Sequence, residues 1–421
     1  MNKYKKNILS NKIPLFTVPV LGAKTATALI IFKTGSRHET RANNGISHFL
    51  EHLFFKGTIK RPNTLILSSE LDSLGGEYNA FTSKEYTGYW VKVAEEKLPQ
   101  ALEIISDMLL NSVFDPEEIE REKGVIIEEL NMYQDNPLMR IEDVFEEIFY
   151  GDTPAGWDTI GTKENINKFK RADFISYLKE QYGSRSAYVV LAGGLKDRDK
   201  KAAAALLHQF KTNPWRAQKK FTSKQNKPAL QTVFKKTDQV TLSLGVRAYP
   251  VDHPEELTVK LLGIILGGAM SSRLFINLRE RHGLAYYVRT MAESHSDSGY
   301  LTTQAGVPTA KARQAVQVIL AEYKKITQEL VGAKELKRAK DLLRGRLLLQ
   351  MEATDNLANW YGRQAVLRQE IMTPAEFLRR INKIKASDLQ VTAKKIFKDR
   401  GLNLALIGQV KSSDFQKILR F

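Results

Sequence analysis

Residues 166–173 read INKFKRAD, and residues 381–388 read INKIKASD. Ile381 stands 215 positions after Ile166, and Asp388 stands the same distance after Asp173. The next stretches also match in kind: an amphipathic helical segment, then an apolar strand. The strand is SAYVVLAG in the first copy, ending at Gly193, and LNLALIG in the second, ending at Gly408, again 215 positions on. A fixed internal period of this kind is the signature of a duplicated unit. The chain therefore reads as two copies of one fold joined head to tail. The seam falls near 212–228, TNPWRAQKKFTSKQNKP, which is polar, holds two prolines and has no sustained apolar periodicity. This reading divides the chain into a first domain over 1–214, a linker over 215–228 and a second domain over 229–421.

Working outward, alternating apolar runs predict strands over 25–34, 86–94 and 240–248. Helical periodicity predicts helices over 97–111, 117–134, 310–330 and 333–352. Strands and helices do not alternate one for one, so the fold class is α+β rather than a doubly wound sheet.

The 421 residues are 43% hydrophobic and 26% charged, as in ordinary globular proteins. No apolar run approaches the ~20 residues of a membrane helix, and the basic N-terminus lacks the apolar core of a secretory signal. The expected location is the cytoplasm. Cysteine is absent, so disulfides, thiolate metal sites and a cysteine nucleophile are excluded. Any metal must be held by His, Asp or Glu. The net charge of +17 is spread along the chain, as in AKELKRAKDLLRGR at 333–346, and reads as solvated helix faces. No zinc-finger, RRM-like or phosphate-loop pattern accompanies it, so no nucleic-acid partner is expected.

Residues 45–58 read GISHFLEHLFFKGT. His48 and His52 are four apart and project from one face of a helix, a spacing that suits two ligands of a zinc ion. Glu51 lies between them in sequence and can serve as general base without being a ligand. This H-x-x-E-H order is a metalloprotease signature. A catalytic zinc usually takes a third protein ligand. The stretch 118–133, EIEREKGVIIEELNMY, supplies Glu122 and Glu129, seven apart and on one helix face. Glu128 is the rival, about 100° round the helix.

Together with GSRHET, GGEYNAFTSKEYTGYW and EREKGVIIEEL, this segment resembles the pitrilysin and mitochondrial-processing-peptidase superfamily, over essentially the whole chain. The resemblance implies that zinc is held by His48, His52 and Glu129, with Glu51 as general base and Glu122 as an outer carboxylate that orients the site. It implies that Asn79 and Ala80, on a strand edge, bind substrate backbone by β-augmentation. It implies further that Arg279 and Tyr286, within LGGAMSSRLFINLRERHGLAYYV at 266–288, assist catalysis, in preference to their neighbours Arg281, His282 and Tyr287.

Applying the 215-residue offset places His48 on Gly263, Glu51 on Leu266 and His52 on Gly267, so the second half carries no metal motif. His38, His208, His253 and His295 lack partners at ligand spacing and read as structural or surface residues. By resemblance, two copies of the chain would close as a clamshell homodimer around unfolded peptides or presequences. Arg279 and Tyr286 would then serve the partner's zinc. The alternative is a non-peptidase core-type relative of the same fold, which would typically have degraded a motif that is intact here.

Overall fold

The computed structural model describes residues 3–421, which fall into two compact units. The first comprises 3–131, 157–219 and 347–374, and the second 132–156, 220–346 and 375–421. The units are therefore interleaved in sequence. Each half of the chain lends one helix to the unit built mainly from the other half.

The first unit is built on a six-stranded sheet: β1 (Lys5–Ile8), β2 (Pro14–Pro19), β3 (Thr25–Phe32), β4 (Glu77–Thr82), β5 (Thr87–Ala94) and β6 (Ala187–Gly193), in the order β1-β2-β6-β3-β5-β4. Only β2 and β6 run parallel. After Thr25 every residue of β3 is buried, which requires cover on both faces and accounts for the apolar run ALIIF at 28–32. One face lies under helix Leu98–Asn111. The other, carrying Phe16, Leu29, Ile31 and Val190, lies under Leu357, Ala358 and Tyr361 of helix Thr354–Leu367. Gly362 allows the close approach of that helix: a Cβ there would lie 2.6 Å from Leu29 Cδ2.

The second unit holds β7 (Ala229–Phe234), β8 (Gln239–Ala248), β9 (Tyr287–Ser294), β10 (Gly299–Pro308) and β11 (Leu402–Gly408), ordered β7-β11-β8-β10-β9. Here too one pair, β7 with β11, is parallel and the rest antiparallel. Strand for strand this repeats β2-β6-β3-β5-β4. Helix Pro137–Tyr150 covers one face, packing Ile141, Phe145 and Phe149 against Tyr300, Ala405 and Ile407.

The repeat read from the sequence holds at atomic detail. Helix Arg171–Gln181 leads to β6 and helix Ala386–Ile396 leads to β11, with both bounds of helix and strand displaced by the same offset. The repeated Asp caps each helix: Asp173 Oδ2 accepts the Lys170 N–H and Asp388 Oδ2 accepts the Lys385 N–H, both at 2.8 Å. Each strand ends on a left-handed glycine, Gly193 at φ +120° and Gly408 at φ +151°. At Gly193 a Cβ would also meet Thr25 O at 2.3 Å.

The strands predicted over 25–34, 86–94 and 240–248 are β3, β5 and β8, and the four predicted helices form as Leu98–Asn111, Pro116–Asp135, Ala312–Gln328 and Ala333–Gln350. Residues 211–227 carry no regular secondary structure. Within helix Pro116–Asp135, Gly124 is exposed and a Cβ there would meet nothing within 4 Å. Gly124→Ala is expected to stabilise the protein by about 0.5–1 kcal/mol through helix propensity, read as a higher urea midpoint at unchanged slope. A lower midpoint would show that the glycine is needed.

Candidate metal centre

The motif helix spans Ile46–Leu53 and begins at Gly45, whose φ of +101° is left-handed. Only glycine fits there, because a Cβ would lie 2.5 Å from Ile160 O. The helix buries Phe49, Leu50 and Leu53, which turns His48, Glu51 and His52 away from the apolar side. Helix Pro116–Asp135 buries Ile119, Ile126 and Leu130. Glu122 lies on its inner side at 3% exposure, while Glu128 is exposed.

His48, His52 and Glu129 come together, with one ligand atom of each within 4.8 Å of the others. Glu129 Oε2 lies 3.3 Å from His52 Nε2 and 3.7 Å from His48 Nε2. His52 Nδ1–H donates to Glu122 Oε1 at 2.8 Å, which leaves Nε2 facing Glu129. The other oxygen of Glu122 pairs with Lys56 Nζ at 2.6 Å. Glu51 lies near enough to His52 and Glu129 to feel their charges, and its Oε2 accepts from Thr82 Oγ1 at 2.6 Å at the end of β4.

The electrostatics fit a cation at this point. Burial, with His52 beside it, pushes the His48 pKa down to about 4. Burial opposes protonation of His52 as well, but its hydrogen bonds to Glu122 and Glu129 outweigh that and carry its pKa up to about 9. The Glu122 and Glu129 carboxyls that flank His52 are themselves held below their usual range by hydrogen bonds from it. Two imidazole nitrogens and a carboxylate oxygen are a donor set suited to a borderline-soft divalent ion such as zinc, and such an ion displaces ligand protons on binding. Glu51 differs: burial raises its pKa, against the pull of the Thr82 hydrogen bond.

Asn79 and Ala80 lie in β4, which pairs with β5 on one side only and forms an edge of its sheet. The Ala80 N–H donates to its neighbour's Asn79 Oδ1 at 2.8 Å. In the second unit, Arg279 sits on a π-helical turn, Phe275–Arg281, and its Nη1 donates to the Tyr286 carbonyl at 2.7 Å. The guanidinium carbon lies 5.2 Å from the Tyr286 ring, whose residue is 77% exposed. At the positions matching His48 and His52, Gly263 and Gly267 of helix Glu256–Gly267 face β9. A Cβ at Gly267 would lie 2.2 Å from Thr290 Oγ1, so strand and helix close where a ligand would stand.

Sequence reading missed Lys56 and Thr82. Lys56 stands past the end of the motif helix, and its contact with Glu122 arises only when the two segments come together. Thr82 is visible only through the fold. His38 is buried at 4% exposure, its Nδ1 accepting the Gly35 N–H at 3.2 Å, and burial lowers its pKa to about 4 from 6.5. Below pH 6.5 the unfolded chain takes up a proton that the folded chain refuses, so stability falls as pH drops from about 6.5 to 4 and is unaffected above that window. At about 1.4 kcal/mol per pKa unit the loss is about 3 kcal/mol. In urea unfolding at pH 7.5 and 4.5, His38→Gln should lose that much less than the wild type. Equal losses would refute the assignment.

Residues 20–163 match the family model described as insulinase, peptidase family M16, and residues 168–343 match that of the peptidase M16 inactive domain. The chain is 34% identical to the uncharacterized zinc protease YmxG of Bacillus subtilis, across 86% of this chain and 88% of that one. It belongs to peptidase family M16. An uncharacterized zinc protease of Rickettsia felis is also 34% identical, over 92% of this chain and 94% of its own. Among solved structures, a protease from Helicobacter pylori superposes with a TM-score of 0.91 at 22% identity, covering 97% of this chain and all of that one. A Pseudomonas fluorescens protein described as a peptidase M16 inactive domain gives 0.90 at 16% identity, covering 97% of this chain and 99% of its own. These two share the fold. The M16 match puts the metal group in the first family region and Arg279 and Tyr286 in the second. Among the described residues, no helix is long and apolar enough to cross a membrane.

Proposed function

We propose that this M16 member is a zinc metalloendopeptidase acting on unfolded peptides or presequences. The observation that carries the proposal is the convergence of His48, His52 and Glu129 on one point beside a carboxyl, Glu51, that burial makes more basic. His48, His52 and Glu129 would hold zinc, which when bound supplies a Lewis acid that acidifies water and polarises a carbonyl. Glu51 takes the proton of the attacking water and returns it to the leaving amine. Thr82 holds Oε2 of Glu51, and Oε1 is the oxygen available to the proton. Glu122 fixes the His52 ring through Nδ1, and Lys56 fixes Glu122.

The substrate backbone adds to the free edge of β4, where Asn79 and Ala80 lie and where the Ala80 amide is the donor a peptide carbonyl would claim. That edge ends at Thr82, so a bound strand runs toward Glu51. Arg279 and Tyr286, already paired in the second unit, supply donors to the substrate carbonyl. In this reading 1–214 is the catalytic domain, 215–228 the linker and 229–421 the metal-free domain. The active species is a homodimer in which the Arg/Tyr pair serves the partner's centre.

The test is cleavage of a quenched fluorescent peptide by the purified chain, with chelator and then added zinc. Cleavage abolished by the chelator and restored by zinc is the expected result. Cleavage indifferent to the chelator would refute the metal reading. Full activity of an isolated monomer would refute the dimer.

A further inference from the structure

The two histidines are held differently. His52 is oriented by Glu122 through Nδ1 at 2.8 Å. His48 Nδ1 is buried and, among the described residues, has no hydrogen-bond partner. No hydrogen bond at Nδ1 sets the ring's direction, which is left to its packing and to the backbone beneath it. That backbone is the first turn of an eight-residue helix, a length with little stability of its own. Its cap residue is Gly45, which has no side chain to satisfy the exposed N–H groups of the first turn.

Glu39, six residues upstream, does this instead. Its Oε1 accepts the Ser47 N–H at 2.9 Å, and its Oε2 accepts the Gly45 N–H at 2.8 Å and Asn44 Nδ2 at 3.0 Å. Glu39 is 4% exposed, so both oxygens are committed away from water. Asn44 carries the hold further, donating also to Asp158 O at 2.9 Å. Ser47, the residue before His48, is pinned a second time by its hydroxyl against Tyr177 OH at 2.9 Å. The result is a clamp on the backbone on either side of Ile46, one residue short of the ligand.

We propose that Glu39 is the positioning residue for His48: by binding the Gly45 and Ser47 amides it fixes the backbone that presents an otherwise unpartnered imidazole to His52 and Glu129. The proposal rests on the zinc reading of the site but adds a residue that touches neither metal nor substrate.

Glu39→Gln tests it. The amide is the same size but offers one acceptor and one donor group, so one of the two backbone N–H groups loses its partner. Zinc affinity of the full chain, measured by competition with a fluorescent chelator at neutral pH, should weaken by about tenfold or more, with binding still at one ion per chain. A merely structural role would lower the urea midpoint and leave the zinc affinity of the folded variant unchanged, which would overturn the proposal. Wild-type protein that binds no zinc would refute the metal reading instead, so the two failures are distinguishable. Should the variant not fold, amide exchange of the wild type decides. Protection of the Gly45 and Ser47 amides, unusual for a helix first turn, supports the clamp. Exchange at free-chain rates overturns it.

Discussion

Glu51→Gln is expected to bind zinc as the wild type does and to turn over peptide about 10²–10⁴-fold more slowly. Glu51 shares the motif helix with both histidines but is not one of the three grouped ligands, and its Oε2 is held by Thr82, so its loss removes no ligand. Gln is the same size and can still accept from Thr82, which keeps the local packing. What it cannot do is take a proton. Burial raises the Glu51 pKa, bringing the carboxylate nearer the pH at which a general base works best. Zinc content and kcat measured on the same preparation check this. Retained turnover would remove Glu51 from the mechanism, and lost zinc would make it a structural residue.

The largest expected effect on stability lies just beyond the motif helix. The Arg61 side chain is 1% exposed and meets three carboxylates: Glu70 at 2.8 Å, Glu103 at 2.5 Å and Asp107 at 2.6 Å. It ties the segment after the motif helix to helix Leu98–Asn111, with Thr58 Oγ1 donating to the same Asp107 at 2.6 Å. Glu70 and Glu103 are 43% and 36% exposed in their side chains, and water would largely make good their loss. Asp107, at 8%, has no such recourse. Breaking a buried pair by removing one partner costs about 3–5 kcal/mol, and the two solvated carboxylates put Arg61→Met near the lower end, about 3 kcal/mol. Urea unfolding at pH 7 checks it, with Arg61→Lys recovering part. A loss below about 1 kcal/mol would show that the network contributes little.

Much of this architecture was legible in the sequence, and the parts that were not share a cause. The repeat ending in Asp173 and Asp388 announced the duplication because those aspartates make local contacts, capping the helices they open. The His48–His52 spacing and the seven-residue step from Glu122 to Glu129 were legible because helix geometry turns spacing into direction. The same geometry separated Glu129 from Glu128, which is exposed. The exchanged helices were not legible. The periodicity of Thr354–Leu367 says that one face is buried but not that Leu29 and Val190, far earlier in the chain, bury it. Thr82 at Glu51, Lys56 at Glu122 and Glu39 at the motif amides are likewise contacts of the folded chain, each between residues whose types are unremarkable where they stand.

The interleaving of the two units also bears on how this protein is made. By the time Gly193 emerges from the ribosome every strand of the first sheet has been delivered, yet the helix that covers Phe16, Leu29, Ile31 and Val190 lies at Thr354–Leu367. At about 5–20 residues per second, that apolar face waits on the order of ten seconds or more for its lid. A nascent sheet exposed for so long is a natural client for chaperones and a hazard for aggregation. The second sheet meets no such delay, because the helix that covers it, Pro137–Tyr150, has already been made.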